Sequence, residues 1–244
     1  TKLRNLSLTD KDRRAKPSII MKKINYALKA PLALGRLFVA AGFTTMLYII
    51  LVAVLATHRK KPMDLLWRMM GYWCRKMLSI IGMQVDVKFE APMEGPGLIL
   101  SNHRSYIDIF INLSLHQARI IAKKEVGSWP VIGLGMKAFN VLMMDRSSMA
   151  SRMENLRQME QILVSGQSLI IYPEGTTHRG PGIGPIKEST YKIASKNNIR
   201  VYPIAIEYEN QDDAWVGDDL FVPHFIRRSG AWHRRVSVVV GKAI

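Results

Sequence analysis

The sequence predicts an α/β domain with a mostly parallel sheet flanked by helices, preceded by a membrane-embedded motif of two helices. From residue 85 onward, short apolar runs bounded by turn residues alternate with stretches of helical periodicity. This alternation is typical of proteins in which helices connect parallel strands. The two-helix motif is predicted because residues 37–57 carry no charge, and about 20 apolar residues are enough for a helix to cross a bilayer.

The strongly basic composition indicates which kinds of molecule the protein binds. The chain has 244 residues, and its 35 Lys and Arg against 19 Asp and Glu give a net charge of +16. Such a charge attracts nucleic acid or an anionic membrane surface. Because the sequence has no helix-turn-helix, RNP or zinc-finger pattern, we expect an anionic membrane surface as partner and no nucleic acid. A single cysteine, Cys74, excludes an internal disulfide framework and indicates a reducing compartment.

Residues 1–30 are polar and basic, and they are interpreted as an N-terminal arm. Two interpretations of this arm are open. It is either a solvated, partly disordered segment or a segment attracted to acidic lipid head groups, where each basic residue contributes about 1 kcal/mol. Residues 31–82 form the predicted two-helix motif, and residues 83–244 form the predicted α/β domain. No segment has the pattern of a cleavable signal peptide.

Basic residues flank the uncharged stretch on both sides, with Arg36 before it and Arg59 after it. A single membrane span normally has Lys and Arg biased to one side, so we expect both ends of this helix on the cytoplasmic face. The second helix, predicted over residues 64–81, combines a broad apolar surface with a narrow cationic stripe. This pattern favours the membrane interface, and packing on the globular core is the alternative.

After Gly82 the periodicity changes, and short elements are predicted along the rest of the chain. Strands are predicted at residues 85–89, 98–100, 119–122, 141–144, 168–172, 201–206 and 236–240. Helices are predicted from the turn after residue 103 to about residue 115, and at 129–138 and 187–197. A further helix, capped by Ser147 or Ser148, is expected to end near Gly166 and to bury Met153, Leu156 and Leu163.

His103 directly follows the central predicted strand, and Asp108 lies five residues later at the start of a helix. A neutral imidazole is the usual general base near pH 7, and a neighbouring carboxylate fixes its tautomer and stabilises its cation. A second interpretation is open, because Ser105 and Asp108 also have the spacing of a capping box. In that interpretation Asp108 only caps its own helix.

Other predicted strands also lead into polar or turn residues. These are Asp145-Arg146, Pro173-Glu174-Gly175-Thr176 and Tyr202-Pro203. Open α/β sheets bind ligands at the carboxyl ends of their strands. We therefore expect these residues and His103 to lie together on one edge of the sheet.

Four segments, in this order, resemble the four sequence blocks of the glycerolipid acyltransferase family: SNHRSYID, MMDRSS, IYPEGTTHRG and VYPIAIE. The resemblance covers about residues 85–210. It implies a glycerol-3-phosphate acyltransferase-like fold and transfer of a fatty acyl chain from acyl-CoA or acyl carrier protein to a lysophospholipid. The implied acceptor is 1-acylglycerol-3-phosphate, which would give phosphatidic acid. The implied location is the cytoplasmic face of a bacterial inner membrane, with no cofactor and no metal.

The resemblance also implies roles for individual residues. His103 would be the general base, and Asp108 would orient it. Arg146 would contact phosphate, for which a guanidinium is well suited, and Lys123 resembles a second family cation. The acceptor-binding block is matched by Glu174, Gly175 and Thr176, although Glu174 has an equally open role in holding the Gly175 loop through backbone N–H groups. Direct transfer without an acyl-enzyme is expected, since there is no GxSxG motif.

One position departs from the family pattern. The third block usually continues with Arg after Gly-Thr, and this chain has Thr177 there. Arg179 or Lys187 is expected to take over the phosphate contact, or else the acceptor is another lyso-lipid such as a lyso-aminolipid. A third interpretation is a non-enzymatic protein that binds membrane surfaces, and the His103 and Asp108 pair counts against it.

Overall fold

The computed structural model describes residues 19–60, 62–123, 130–145, 148–180 and 182–244. Two long helices come first, and short strands and helices then alternate to the C-terminus. The helices are α1 (Ile19–Thr57), α2 (Met63–Ile80), α3 (Ile107–Leu115), α4 (Pro130–Ala138), α5 (Met149–Val164), α6 (Ser189–Lys196) and α7 (Phe221–Ser229). The strands are β1 (Met83–Phe89), β2 (Leu98–Ser101), β3 (Ile121–Lys123), β4 (Leu142–Met144), β5 (Leu169–Ile171), β6 (Val201–Tyr208) and β7 (Arg234–Val240).

The main sheet has the strand order β1-β7-β6-β2-β5. β2 lies between β5 and β6 and is parallel to both, and β7 is antiparallel to β6 but parallel to β1. A separate parallel pair, β3 and β4, adjoins β5 through a bridge between Arg119 and Leu169. The prediction of an α/β fold with a mostly parallel sheet is therefore confirmed.

Both faces of the sheet are buried, which is why its central strands are continuous apolar runs. Ile99 of β2 packs on one face with Ile107 and Ile111 of α3. Leu98 packs on the other face with Met159 and Leu163 of α5. These two layers fix β2, and the turn that follows it, in the centre of the domain.

Helix α5 begins as predicted at a serine cap but buries fewer residues than expected. The Ser148 side chain accepts a hydrogen bond from the Ser151 backbone N–H at 3.0 Å, whereas Ser147 lies outside the described residues. Leu163 is buried and Leu156 is partly buried. The predicted burial of Met153 is wrong, because its side chain is 60% exposed. It lies in the first turns of α5, away from the part of the helix that covers the sheet.

Helix α1 is longer than predicted. It begins at Ile19 and continues through Pro31 to Thr57, so it extends well beyond the uncharged stretch of residues 37–57 and includes residues 19–30. Its segment Ala27–Thr57 is long and apolar enough to cross a membrane, and only 11% of the most apolar window is buried. The basic residues of 19–30 hid this helix, because they interrupt the apolar pattern without interrupting the helical backbone.

Helix α2 lies between α1 and the α/β domain. Its buried face carries Leu66, Cys74 and Leu78, and Trp73 contacts both neighbours. The Trp73 indole N–H donates to Thr44 of α1 at 3.0 Å, and its ring lies 5.2 Å from that of Phe110 in α3. One face of α2 therefore packs on the globular core, the alternative considered above, while the expected contact of its other face with a membrane stays a prediction.

The middle of α1 is joined to α7, a helix that no sequence pattern predicts. The Arg36 guanidinium donates to the backbone carbonyls of Ser229 at 2.7 Å and Trp232 at 2.8 Å, and also to that of Ala231. A cationic side chain at the C-terminal end of a helix stabilises the unpaired carbonyls there. Arg36 therefore attaches the N-terminal helices to the end of α7.

Candidate active site

The site is built around the end of β2. There the side chain of Asn102 replaces backbone hydrogen bonds to the neighbouring strand β6. The Asn102 side-chain amide donates to the Ile206 carbonyl at 2.9 Å, and its carbonyl accepts from the Ile206 N–H at 2.7 Å. The side chain thus imitates one more residue of the ladder to β6. Because both bonds are buried, they fix the point at which His103 leaves the sheet.

His103 and Asp108 are paired, as the sequence predicts. The His103 Nδ1 lies 2.9 Å from the Asp108 Oδ2, and the Asp108 side chain is fully buried, whereas the His103 side chain is 19% exposed. A carboxylate on Nδ1 selects the tautomer in which Nδ1 carries the proton. That leaves the Nε2 lone pair, which has no hydrogen-bond partner in the described part of the chain, to act as a base.

Asp108 has three further donors besides His103. Its Oδ2 accepts from the backbone N–H groups of Arg104 at 2.6 Å and Ser105 at 2.8 Å. Its Oδ1 accepts from the Tyr208 hydroxyl at 2.6 Å. A buried charge is tolerated when hydrogen bonds replace its lost hydration, so these contacts allow a carboxylate to sit beneath the imidazole.

Asp108 makes the contact expected from each interpretation, one with His103 and one with the start of α3. The bond from the Ser105 N–H is the half of a capping box that closes the first turn of α3. The reciprocal half is missing, because the Ser105 hydroxyl is buried without a partner among the described residues. The same carboxylate oxygen that accepts from the helix end also holds His103, so helix capping fixes the geometry of the pair.

Two tyrosines, the partly buried Tyr172 and the buried Tyr208, lie against the pair. The His103 ring stacks on that of Tyr172, with centroids 4.0 Å apart and planes 18° apart, and the Tyr172 hydroxyl accepts from Asn112 at 3.1 Å. Burial, with a contribution from the Asp108 charge, raises the pKa of Tyr172 and of Tyr208 well above the usual value. Both phenols therefore stay neutral near pH 7, and Tyr208 remains a hydrogen-bond donor to Asp108.

Glu174 follows β5, and its carboxylate accepts hydrogen bonds from backbone N–H groups instead of facing solvent. Its Oε2 accepts from the His103 backbone N–H at 2.5 Å and its Oε1 accepts from the Gly184 N–H at 2.9 Å, with the residue 6% exposed. These bonds are of the kind expected from the loop-holding alternative, although they reach His103 and Gly184 rather than Gly175 itself. Glu174 thereby joins the ends of β2 and β5.

Gly175 needs the conformation that glycine allows. Its φ is +72°, and its N–H donates to the Tyr172 carbonyl at 3.0 Å in the turn after β5. A side chain is strained at this φ. Thr176, the next residue, is exposed, so the turn presents it at the surface beside the buried Glu174.

Arg104 holds a second loop at the site. Its guanidinium donates to the carbonyls of Gly180 and Gly182, the latter at 2.9 Å, and pairs with Glu207 at 3.1 Å. Its own backbone carbonyl accepts from the Trp215 N–H at 2.9 Å. The residue between His103 and the helix therefore connects the turn after β5 with the segment after β6.

Of the three predicted cations at the site, the structure describes the side chain of Arg179 only. Lys123 ends β3, in the smaller strand pair, and its side chain is outside the described part; Arg146 lies wholly outside it. Arg179 is exposed, and its guanidinium donates to the Ala214 carbonyl at 3.1 Å. The roles of these three cations stay predictions.

The expectation that all four strand ends share one edge needs correction for β6. Tyr202 and Pro203 lie within β6, where Pro203 pairs with Leu100, because the strand runs on to Tyr208. β6 therefore contributes Tyr208 to the site, a residue that sequence reasoning missed. The signal was present, since Tyr202, Ile204, Ile206 and Tyr208 alternate as one buried face.

Comparison with known proteins gives a consistent assignment. The chain is 32% identical over 165 residues to a lyso-ornithine lipid O-acyltransferase of Pseudomonas aeruginosa, covering 66% of this chain and 63% of that relative. It is 30% identical over 139 residues to a 1-acyl-sn-glycerol-3-phosphate acyltransferase of Neisseria meningitidis, covering 56% and 54%. The matches thus span less than two thirds of the length of either relative.

A solved structure shares the fold. The crystal structure of the 1-acyl-sn-glycerophosphate (LPA) acyltransferase PlsC from Thermotoga maritima aligns with a TM-score of 0.68 at 21% identity, over 92% of this chain and 87% of that one. The family model described as Acyltransferase matches residues 83–207, which are 125 of the 244 residues and contain the paired His103 and Asp108. With a match over more than half of its length, this chain belongs to the acyltransferase family.

Proposed function

We propose that the protein transfers a fatty acyl chain from acyl-CoA or acyl carrier protein to the free hydroxyl of a membrane lyso-lipid. The observation that carries this proposal is the pairing of a partly exposed His103 with a buried Asp108 whose oxygens are held by four donors. This is the base-and-orienting-acid half of a protease triad, and the hydroxyl of the acceptor takes the place of the serine.

The reaction needs one proton carrier. His103 Nε2 removes the proton from the acceptor hydroxyl as its oxygen attacks the thioester carbonyl. The tetrahedral intermediate collapses, the carbon–sulfur bond breaks, and the imidazolium returns the proton to the leaving thiolate. Asp108 stabilises the imidazolium between these steps. The products are an ester and a free thiol, and the enzyme carries no acyl group.

The acceptor favoured by the sequence blocks is 1-acylglycerol-3-phosphate, which gives phosphatidic acid. Arg146 is proposed to bind its phosphate, with Lys123 and Arg179 as further cations. Glu174 and Gly175 are proposed to shape the acceptor side of the site through the turn after β5, and Thr176 offers an exposed hydroxyl there. The Neisseria relative, named for this acceptor, supports the assignment.

A second acceptor, a lyso-aminolipid, is favoured by a specific observation. Thr177 stands where the family pattern has Arg, and the Pseudomonas relative is named for lyso-ornithine lipid. An acceptor with less anionic charge needs fewer cations in its site. The exposed Arg179 already donates to Ala214, which favours an acceptor that does not require it.

We further propose that α1 and α2 embed in one leaflet on the cytoplasmic face of the bacterial inner membrane. The support is the length and exposure of the apolar segment Ala27–Thr57 and its basic flanks. A lyso-lipid then reaches His103 from the leaflet without crossing water. A non-enzymatic membrane-binding protein would have no use for the buried carboxylate beneath His103.

A thioester-release assay with the purified full chain tests the proposed function. Acyl-CoA and acyl carrier protein are each offered with 1-acylglycerol-3-phosphate, lyso-ornithine lipid, lysophosphatidylcholine or no acceptor. We expect thiol release with one of the first two lipids and none without an acceptor. Release with neither lipid would contradict the function, and preference for lyso-ornithine lipid would assign the second acceptor.

A further inference from the structure

A cavity of about 650 Å³ lies between the middle of α1, the C-terminal end of α2 and β1, apart from His103 and Asp108. Its volume is within the range of small-molecule sites. Its apolar floor is formed by Val85 and Val87 of β1 and by Leu115 at the end of α3. His103 lies before the opposite end of α3, and no lining residue has a hydrogen bond to His103 or Asp108.

The ionisable groups that line this cavity are all bases. They are Arg36, Arg75 and His233, and no carboxylate lines the cavity within the described ranges. Arg36 donates to three backbone carbonyls at the end of α7 and has no carboxylate beside it in the described ranges. Arg75 is exposed and donates one N–H to the Ser114 carbonyl at 3.2 Å. Neither arginine has an ion pair with a carboxylate in the described part of the chain.

The position of the cavity along α1 suggests what kind of anion it meets. Arg36 is the last charged residue before the uncharged stretch of residues 37–57. With that stretch in a leaflet, as proposed above, Arg36 and the neighbouring Arg75 lie at the level of the lipid head groups. Trp232, 73% exposed, also lines the cavity, and tryptophan is enriched at this level of a membrane.

We propose that the cavity binds an intact anionic glycerophospholipid of the host membrane, outside the catalytic site. Its phosphate contacts Arg75 and His233 beside the fixed charge of Arg36, since guanidinium groups bind phosphate bidentately. The upper part of one acyl chain lies on Val85 and Val87. A lipid held there contacts α1, α2 and the edge strand β1 together. It thereby sets the distance of the α/β domain from the membrane surface.

The binding of dihexanoyl phosphatidylglycerol to the full chain in uncharged detergent tests this site. Isothermal titration is carried out below the micelle concentration of the lipid. We expect saturable binding of one lipid per chain, weakened at least tenfold by the double substitution Arg75→Ala and His233→Ala. Both side chains are exposed, so we expect the double variant to fold, which circular dichroism checks. Arg157→Ala, which removes an exposed arginine of α5 outside the cavity, is expected to bind like the wild type.

Two further measurements distinguish a lipid site from a simple phosphate site and from the catalytic site. Inorganic phosphate is expected to bind at least tenfold more weakly than the lipid, because it does not reach the apolar floor. Thiol release by the double variant in the same detergent is expected to equal that of the wild type. The site is contradicted by absent saturation, by wild-type affinity in the double variant or by equal binding of inorganic phosphate. It is also contradicted by a loss of thiol release, which would place the cations in the catalytic site.

Discussion

The carboxylate of Asp108 receives hydrogen bonds from His103, from Tyr208 and from two backbone N–H groups at the start of α3. Asn at this position keeps the shape but loses the negative charge and one acceptor oxygen. We expect Asp108→Asn to lower the acyl-transfer rate about 10²–10⁴-fold, the range for loss of general-base function, and also to lower the melting temperature. Assays of rate and thermal unfolding on one sample check this.

Two other outcomes for Asp108→Asn would each contradict one of the two roles of this residue. A lowered melting temperature with an unchanged rate would show that the residue only caps α3. A loss of rate with unchanged stability would show that the backbone bonds contribute nothing to the helix end.

Tyr208 donates to the other oxygen of the same carboxylate, and it is buried. Tyr208→Phe removes this donor, and a hydrogen bond to a charged group contributes about 1.5–3 kcal/mol. We expect a stability loss of that order and a fall in kcat of about tenfold, since about 1.4 kcal/mol of barrier is a factor of ten. KM for the acceptor should stay unchanged, because the phenol meets Asp108 and not the substrate.

Tyr202→Phe is the matched control for Tyr208→Phe. Tyr202 lies on the same face of β6, and its hydroxyl donates to the Glu94 carbonyl at 2.6 Å and not to Asp108. It should lower stability without changing kcat. Equal kinetic effects in the two variants would mean that Tyr208 acts through the strand and not through Asp108.

At the residue scale, the sequence predicts the groups whose chemistry is distinctive and misses those whose chemistry is ordinary. His103 and Asp108 are recognisable by type and spacing. Asn102 is not, because its bonds to Ile206 join positions that are distant along the chain. Tyr208 belongs to the same class, since a buried tyrosine at a strand end is usually only part of the core.

At the scale of elements, the contact between α1 and α7 depends on a glycine. An added Cβ at Gly230 would lie 2.4 Å from the Lys29 Cβ and 2.5 Å from the Lys29 backbone oxygen, so α1 would have to move. We expect Gly230→Ala to destabilise the protein by about 1–3 kcal/mol, the usual cost of overpacking. Thermal or denaturant unfolding in detergent measures this.

Gly135→Ala serves as the control for the Gly230 substitution. Gly135 lies in α4, and an added Cβ there meets nothing within 4 Å. Alanine is favoured over glycine in a helix by about 1 kcal/mol, so this variant should be neutral or more stable. A Gly230→Ala variant as stable as Gly135→Ala would show that α1 does not rest on the turn after α7.

The elements that the sequence predicts well are those with one simple period. β2 and β5 are continuous apolar runs with turn residues at both ends, and both are found within a residue or two of their predicted positions. α7 escaped prediction because it has nine residues and contains Pro223. Its burial is decided by contacts with α1 and Tyr106, which a local pattern does not contain.

At the scale of the whole molecule, the proposed arrangement of the two N-terminal helices in one leaflet rests on the charges of α2. A fully spanning α2 would bury Arg68, Arg75 and Lys76, at about 2.5–3.5 kcal/mol each near the bilayer centre. All three are exposed on α2. In a single leaflet they stay at head-group level, and both ends of α1 lie on the cytoplasmic side.

Cysteine labelling tests this topology. Single cysteines at Leu28, which is 76% exposed, and at Lys60, with Cys74→Ala in both, are treated with a membrane-impermeant thiol reagent in sealed inside-out vesicles. We expect both positions to be labelled. Labelling of only one would mean that α1 crosses the bilayer. Labelling of both in right-side-out vesicles would place the protein on the opposite face.

The central claim is that His103 is the base for direct transfer to a lyso-lipid. Its most direct test is thiol release by purified wild type and His103→Ala, with acyl-CoA and the accepted lyso-lipid, after circular dichroism has shown that both are folded. We predict that the wild type releases thiol only when acceptor is present and in step with product, and that His103→Ala is slower by about 10²–10⁴-fold. Near-wild-type turnover by His103→Ala, or a burst of thiol without acceptor, would contradict the mechanism.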